Sequence, residues 1–309
     1  MRLIRGIPRQ PLPPCILTVG TFDGLHRGHQ ALIARTVALA QAQGLPAAML
    51  TFDPMPREFL NPGDPPARLT NFRERWRLLG ASGLQRLHLL EFNARLRALS
   101  GSQFLAALRN VGARTLVVGH DFRFGRDGEG NVEWCAREAQ HYGFTVEVFA
   151  PVRVAGERAS SGLVRAALAA GDFGRATQLL GRPYTMRGRV ARGAQLGRTL
   201  GFPTANLRLQ RRRSPLAGIY AVRVSGGLAG EAPAGHGRPA VASLGTRPTV
   251  NGVEPLLEVH LFDFAGDLYG AELQVEFVAH LRAELRFDDL DALVAQMQRD
   301  ADAARALLR

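Results

Sequence analysis

The 309-residue chain contains no lysine: all 39 of its basic residues are arginine. That absence excludes a lysine Schiff base, a pyridoxal-phosphate anchor and the lysine of a P-loop. Any phosphate chemistry must therefore rest on arginine, histidine, backbone amides or a metal ion. Cysteine is scarce as well. Cys15 lies in an apolar run and Cys135 follows a tryptophan, neither at metal-ligand spacing. Two buried thiols in a reducing compartment are expected, hence the cytoplasm. No apolar run approaches the roughly 18 residues of a membrane span, and the opening MRLIRGIPRQPLPP is broken by arginine and proline where a signal peptide needs an apolar stretch. No membrane partner is expected.

The net charge is +12, which on its own could mark a polyanionic partner. Its distribution argues otherwise. Residues 1–183 hold 23 arginines and residues 184–309 hold 16, and the one run is Arg211-Arg212-Arg213. A nucleic-acid binder usually concentrates its charge, so no nucleic acid is expected. The alternative from another class is an RNA-binding protein on an inert scaffold, with Arg211 to Arg213 as its contacts.

Hydrophobic residues make up 46% of the chain, enough for two cores. From residue 15 to about 150, the apolar runs ILTVG, AAMLTF, LQRLHLL, RTLVVG and FTVEVF alternate with helical patterns at 30–43, 71–79, 102–109 and 132–142. Such alternation predicts a parallel α/β sheet. A helical pair follows at 163–169 and 172–180, and near Arg182 the texture changes. TMRGRVA, GIYAVRV, RPAVASL, LLEVHLF and ELQVEFVAHL then succeed one another with turns between, and the last 22 residues form an amphipathic pattern. Consecutive strands predict an antiparallel sheet or small barrel, closed by a C-terminal helix. The expected domains are 1–183 and 184–309.

Chemistry-bearing residues gather where strands should end, the usual ligand side of a parallel α/β fold. In VGTFDGLHRGHQAL, His26 and His29 flank Gly28 where loop becomes helix. Two imidazoles one turn apart, beside helix N-terminal amides, suit a nucleoside triphosphate. A bare HxxH is more readily half of a metal site or a surface pair. The full string GTFDGLHRGH resembles the GxFDGxHxGH signature of the nucleotidylyltransferase superfamily, whose histidines stabilise charge on ATP phosphates. Within it the chain more closely resembles the bifunctional riboflavin kinase/FAD synthetase family. TFDPMP (51–56) is similar to its FxPxP segment, VVGHDFRFG (117–125) to its VVGxDFRFG segment, and SSGLVR (160–165) to its SSTxIR segment, with Gly162 in place of threonine.

The resemblance implies a Rossmann-like nucleotidyltransferase domain. ATP contacts fall on Gly20, Phe22, Asp23 and Gly28, with His26 and His29 catalytic, and phosphate contacts on Ser160, Ser161 and Arg165. Flavin-lining roles fall on Phe52, Pro54, Pro56, Asp121 and Phe124. Read without the family, FDPMP is a turn, HDFRFG a strand end and the serines a helix cap.

In the second module, GRVARGAQLGRTLGFPTANLRL (188–209) resembles the riboflavin kinase signature, and SLGTRPTVNG (243–252) its NxGTRPTV loop, with Ser243 in place of asparagine. Glycines at 188, 193, 197 and 201 leave room for backbone to wrap a triphosphate, and the Thr204 hydroxyl and Asn206 amide oxygen are hard ligands suited to Mg²⁺. The resemblance adds Gly193, Arg198 and Gly201 as ATP contacts and makes Glu258 the base on the ribityl 5'-hydroxyl. Glu254, expected in a turn, serves as its dispensable control. The implied activities are ATP-dependent phosphorylation of riboflavin to FMN and adenylylation of FMN to FAD. A narrower alternative is a kinase whose adenylyl module is impaired by Gly162.

Overall fold

The computed structural model describes every residue except 194–195, 228–236 and 250–251; the side chains at 196, 198, 247–249 and 252–253 also lie outside the described part. The chain forms two compact units, Met1–Pro66 with Arg75–Ser160 and Ala67–Glu74 with Ser161–Arg309.

The first unit is built on six parallel strands: β1 (Arg2–Arg5), β2 (Cys15–Val19), β3 (Ala47–Phe52), β4 (Arg86–Leu90), β5 (Ala113–Gly119) and β6 (Thr145–Phe149), in the order β1-β4-β3-β2-β5-β6. β2 and β3 are buried at every position, whereas the edge strands β1 and β6 are half-buried to exposed. This is why the central strands read as unbroken apolar runs. Leu17, Val19, Leu50, Leu105, Leu108 and Leu116 knit the sheet to its helices. The helix Gly101–Val111 starts on Ser100, whose hydroxyl accepts from the Gln103 amide while the Gln103 side chain accepts from the Ser100 amide, a reciprocal cap. The pattern at 132–142 is an α-helix, Val132–Glu138, continued as a 3₁₀ turn, Ala139–Tyr142.

Several short elements escaped the sequence pattern, among them β1 and a hairpin, besides the short helices Pro56–Leu60 and Ala94–Arg97. β1 precedes the first proline and pairs with β4 through Arg2↔Arg86 and Ile4↔His88. A hairpin, β7 (Arg153–Val154) and β8 (Glu157–Arg158), turns on Ala155 and Gly156. Both turn residues have positive φ, 50° and 84°, the form that suits a two-residue hairpin.

In the second unit the helices Ser161–Ala169 and Phe173–Leu180 precede a closed barrel in the order β10-β13-β12-β11-β14-β9. Its strands are β9 (Thr185–Ala191), β10 (Ala205–Arg208), β11 (Gly218–Ser225), β12 (Arg238–Thr249), β13 (Gly252–Leu261) and β14 (Glu272–Arg282), all antiparallel. The expected parallel sheet, antiparallel barrel and terminal helix are thus all present. Closure leaves no free sheet edge in the barrel. The terminal helix Leu290–Leu307 is capped by Asp289, and its Ala301 and Ala304 pack on Ala221 and Phe262. Asp300 of that helix accepts a forked pair of bonds from Arg282 of β14 at 2.5–3.1 Å.

Two expectations change here. Glu254 stands exposed within β13, in register with Arg247, because the strand runs on through the segment read as a turn. Gly188 serves barrel closure: a Cβ there would stand 2.9 Å from both the Arg208 carbonyl oxygen and the Leu207 Cβ of the neighbouring strand.

Candidate active sites

In the first unit, the chain leaves β2 for β3 on one side and later returns to β5 on the other. The connections leaving the carboxyl ends of the adjacent strands β2 and β5 therefore part to opposite sides, the usual ligand position of such sheets. The loop after β2 carries three left-handed residues: Phe22 (φ 50°), Gly24 (φ 79°) and Leu25 (φ 46°). Glycine takes this conformation freely. Phe22 and Leu25 sit there at a cost on the order of 1–3 kcal/mol each, and are held by burial at 1% and 3% exposure.

His26 caps the helix Arg27–Ala42, its Nδ1 accepting a long bond, 3.4 Å, from the His29 amide. An accepting Nδ1 leaves the ring proton on Nε2. The two imidazoles stack at 3.7 Å, and Phe22 meets His29 edge-on at 5.1 Å. A Cβ at Gly28 would stand 3.1 Å from the His26 ring, so the stack needs glycine there. Burial, then the charge of Arg158, pulls His26 down to about 4. Burial, then His26 and Arg75, holds His29 well below its ordinary value. Both rings are neutral at pH 7 and act as N–H donors. His29 Nδ1 is buried with no hydrogen-bond partner among the described residues, as befits an atom that meets a polar ligand.

Asp121, at the end of β5, is ion-paired with Arg158 of β8, which also approaches the His120 ring at 3.4 Å. Burial raises the Asp121 carboxyl, but the guanidinium outweighs it and holds the group below its ordinary value. Phe124, at 6% exposure, packs among Phe104, Phe122 and Trp134 in the core. Phe52 ends β3 against Phe92; Pro54 follows a cis peptide bond, and Pro56 opens the helix Pro56–Leu60. Gly20 lies under the Phe22 ring, where a Cβ would sit 3.2 Å away, and Asp23 is buried in the loop. Ser160 closes the first unit. In the second, Ser161 begins the helix Ser161–Ala169, Gly162 is exposed, and Arg165 donates through Nε to the Ala67 carbonyl at 2.6 Å.

The second site lies on the barrel wall. Along β10 and β13 the buried residues are Ala205, Leu207, Leu257 and Val259, so Asn206 and Glu258, which alternate with them, face outward. The register sets Asn206 opposite Glu258, and Glu258 opposite Ser243. Directly opposed pairs bring Cβ atoms to about 5 Å. The segment before β10 folds over this row: a Cβ at Gly193 would stand 2.6 Å from the Asn206 amide, and one at Gly197 would be 3.2 Å from Thr204 Oγ1. Only glycine allows backbone so close to these polar groups. Gly201 takes φ 82° in open space, a turn position. The Arg198 side chain lies outside the described residues. The Thr204 hydroxyl and the Asn206 amide carry hard oxygen atoms of the kind that suits Mg²⁺. Among the described residues no group of three or more His, Cys, Asp or Glu could hold a metal ion.

Sequence reasoning missed three contributors. Arg158 stands two residues before the serines, but its role depends on the unforeseen hairpin. His260, two residues after Glu258 on the same face, donates from Nδ1 to the Pro203 carbonyl at 2.9 Å and packs edge-on to Phe202, steadying the approach to Thr204. Glu74 forms a buried two-bond ion pair with Arg211 at 2.7–2.8 Å, and Arg211 also donates to the Tyr184 hydroxyl. Of the three arginines that an RNA-binding reading would use, Arg211 is therefore inside, while Arg212 and Arg213 are exposed.

Paired histidines at the switch of a parallel sheet, and a glycine-lidded Thr/Asn/Glu row on a barrel, together define a two-site phosphate-transfer enzyme. The FAD synthetase family model matches residues 9–163 and the riboflavin kinase model residues 180–308. A bifunctional riboflavin kinase/FMN adenylyltransferase from Pseudomonas fluorescens is 45% identical, over 99% of this chain and 98% of its own. The enzyme of that description from Escherichia coli K12 is 43% identical over 99% and 97%. A Streptococcus pneumoniae crystal structure, described as a macrolide-efflux protein, is similar with TM-score 0.77 and 32% identity over 98% of both chains. Among the described residues no helix is long and apolar enough to cross a membrane. The chain belongs to the bifunctional riboflavin kinase/FMN adenylyltransferase family.

Proposed function

We propose that residues 184–309 move the γ-phosphoryl group of ATP to the 5'-hydroxyl of riboflavin, and that residues 1–183 then join AMP from a second ATP to FMN, releasing pyrophosphate. In the kinase step Glu258 takes the hydroxyl proton as the new O–P bond forms. Thr204 and Asn206 would hold Mg²⁺, whose bound charge offsets that of the phosphates. Positioning and charge stabilisation are most of what phosphoryl transfer asks of a protein. The glycine loop supplies close backbone, and His260 fixes Pro203.

In the adenylyl step the FMN phosphate attacks the α-phosphorus. His26, with its proton on Nε2, and neutral His29 donate to the phosphate oxygens as charge develops there. Ser160, Ser161 and Arg165 are assigned to the leaving pyrophosphate, and Phe52, Pro54, Pro56, Asp121 and Phe124 to the flavin side, on the resemblance. The carrying observation for adenylylation is the His26–His29 stack with its orphaned Nδ1; for the kinase it is the Asn206–Glu258 register. Cys15 and Cys135 are buried free thiols, each pushed up to about 11 by burial, in keeping with a place in the cytoplasm.

The test is chromatographic product analysis of the purified protein with riboflavin, ATP and Mg²⁺. FMN followed by FAD is expected. FMN alone makes Gly162 the defect in an impaired adenylyl site, and neither product overturns the proposal.

A further inference from the structure

Arg75 has a burial and a bonding pattern that neither reaction step above uses. At 2% exposure it is among the largest fully buried side chains of the protein. It lies on the helix Phe72–Leu79 and reaches two loops. One guanidinium nitrogen donates to the Thr21 carbonyl at 2.7 Å and to Thr51 Oγ1 at 3.3 Å, and the other to the Phe52 carbonyl at 3.4 Å. Thr51 Oγ1 in turn donates to the Thr21 carbonyl at 3.2 Å. Thr21 belongs to the loop that delivers His26 and His29; Phe52 begins the FDPMP segment. A buried arginine is costly unless paired or richly hydrogen-bonded, and its planar fork fixes the geometry of what it binds.

We propose that Arg75 is the positioning residue of the adenylyl site: one buried guanidinium that locks the histidine loop to the FDPMP segment. The proposal rests on the reading of the histidine loop as the adenylyl site. In this role Arg75 acts through the two loops it binds, by way of the Thr21 and Phe52 carbonyls and the Thr51 hydroxyl, and through the charge state of His29. The titratable and charged groups around the histidine pair are His26 on the same turn, Asp23 in the loop, Arg158 from β8 and Arg75 from its helix. Removing Arg75's charge takes away one of the influences that keep His29 neutral. The acid limb of adenylylation then moves to higher pH, because His29 takes up a second ring proton more readily once the Arg75 charge is gone.

The experiment measures FAD formation from supplied FMN, ATP and Mg²⁺ across pH for Arg75→Gln, Arg75→Lys and His29→Ala in the full chain, with FMN formation from riboflavin followed in each sample. Arg75→Gln is expected to slow FAD formation about tenfold or more, as small misplacements at a reacting centre do, and to shift the acid limb upward. Arg75→Lys keeps the charge but not the fork, so it is slowed with the limb unmoved. FMN formation stays at the wild-type rate in both. Wild-type rate and limb in both variants, beside an inactive His29→Ala, overturn the Arg75 assignment alone. A slowed Arg75→Gln with an unmoved limb marks a merely structural arginine and overturns it as well. If Arg75→Gln does not fold, Arg75→Lys decides: a wild-type rate without the fork overturns the proposal. Undiminished FAD formation by His29→Ala overturns the reading of the histidine loop, and the Arg75 assignment with it.

Discussion

The two proposed sites meet phosphate without lysine in opposite ways. The proposed site of the sheet unit rests on side chains withdrawn from water: His26 and His29 stacked and neutral, with His26 capping the helix, beside a strained loop. The proposed barrel site rests on Asn206 and Glu258, which face outward from adjacent strands, and on Thr204 just before β10, with Gly193 and Gly197 backbone closer to these groups than any other residue would allow. In the proposed function the first site relies on tuned donors, and the second on a cation held by oxygen ligands with a base beside it. A chain that lacks lysine is thus not short of phosphate chemistry, but each solution fails in its own way.

The sharpest break is at Glu258. Glu258→Ala should slow riboflavin phosphorylation by about a hundred- to ten-thousandfold while leaving adenylylation of supplied FMN intact. Glu254→Ala, exposed on the same strand, should change neither. On the other side, His29→Ala should slow FAD formation by about a hundred- to thousandfold and spare FMN formation. Initial rates with each substrate supplied separately check both.

Stability divides the units too. Glu74→Ala strands Arg211 in the interior and should cost about 3–5 kcal/mol, read as an earlier melt of the barrel unit. Acid should strike the sheet unit first. His88 is fully buried in β4 with both ring nitrogens lacking partners among the described residues, and burial, then Arg86, lowers it to about 4, as burial and Arg158 lower His26. A depressed histidine leaves stability intact above its free value of 6.5 and loses it as pH falls from there toward 4, at about 1.4 kcal/mol per pH unit per group. Denaturation midpoints at pH 7 and pH 5 should show the fall, and His88→Leu should flatten it.

The architecture was legible because the central strands are buried on both faces, and because the barrel strands alternate. β1 was hidden among arginines beside a proline-rich stretch, and the β7–β8 hairpin by its brevity. Of the sites, the glycine-punctuated strings were readable since close approach constrains residue type. Arg75, Arg158, His260 and Glu74 were not, because each acts through a partner far along the chain: Thr21, Asp121, Pro203 and Arg211. Phe124 carried a motif and proved to be packed in the core.

The most direct test of two chemically separate sites is complementation. His29→Ala and Glu258→Ala are assayed alone and mixed, with riboflavin, ATP and Mg²⁺, and FAD is measured. Each variant alone should yield almost no FAD, and the mixture should restore it, as FMN made by the first is adenylylated by the second. A mixture that stays as inactive as its components would contradict the account.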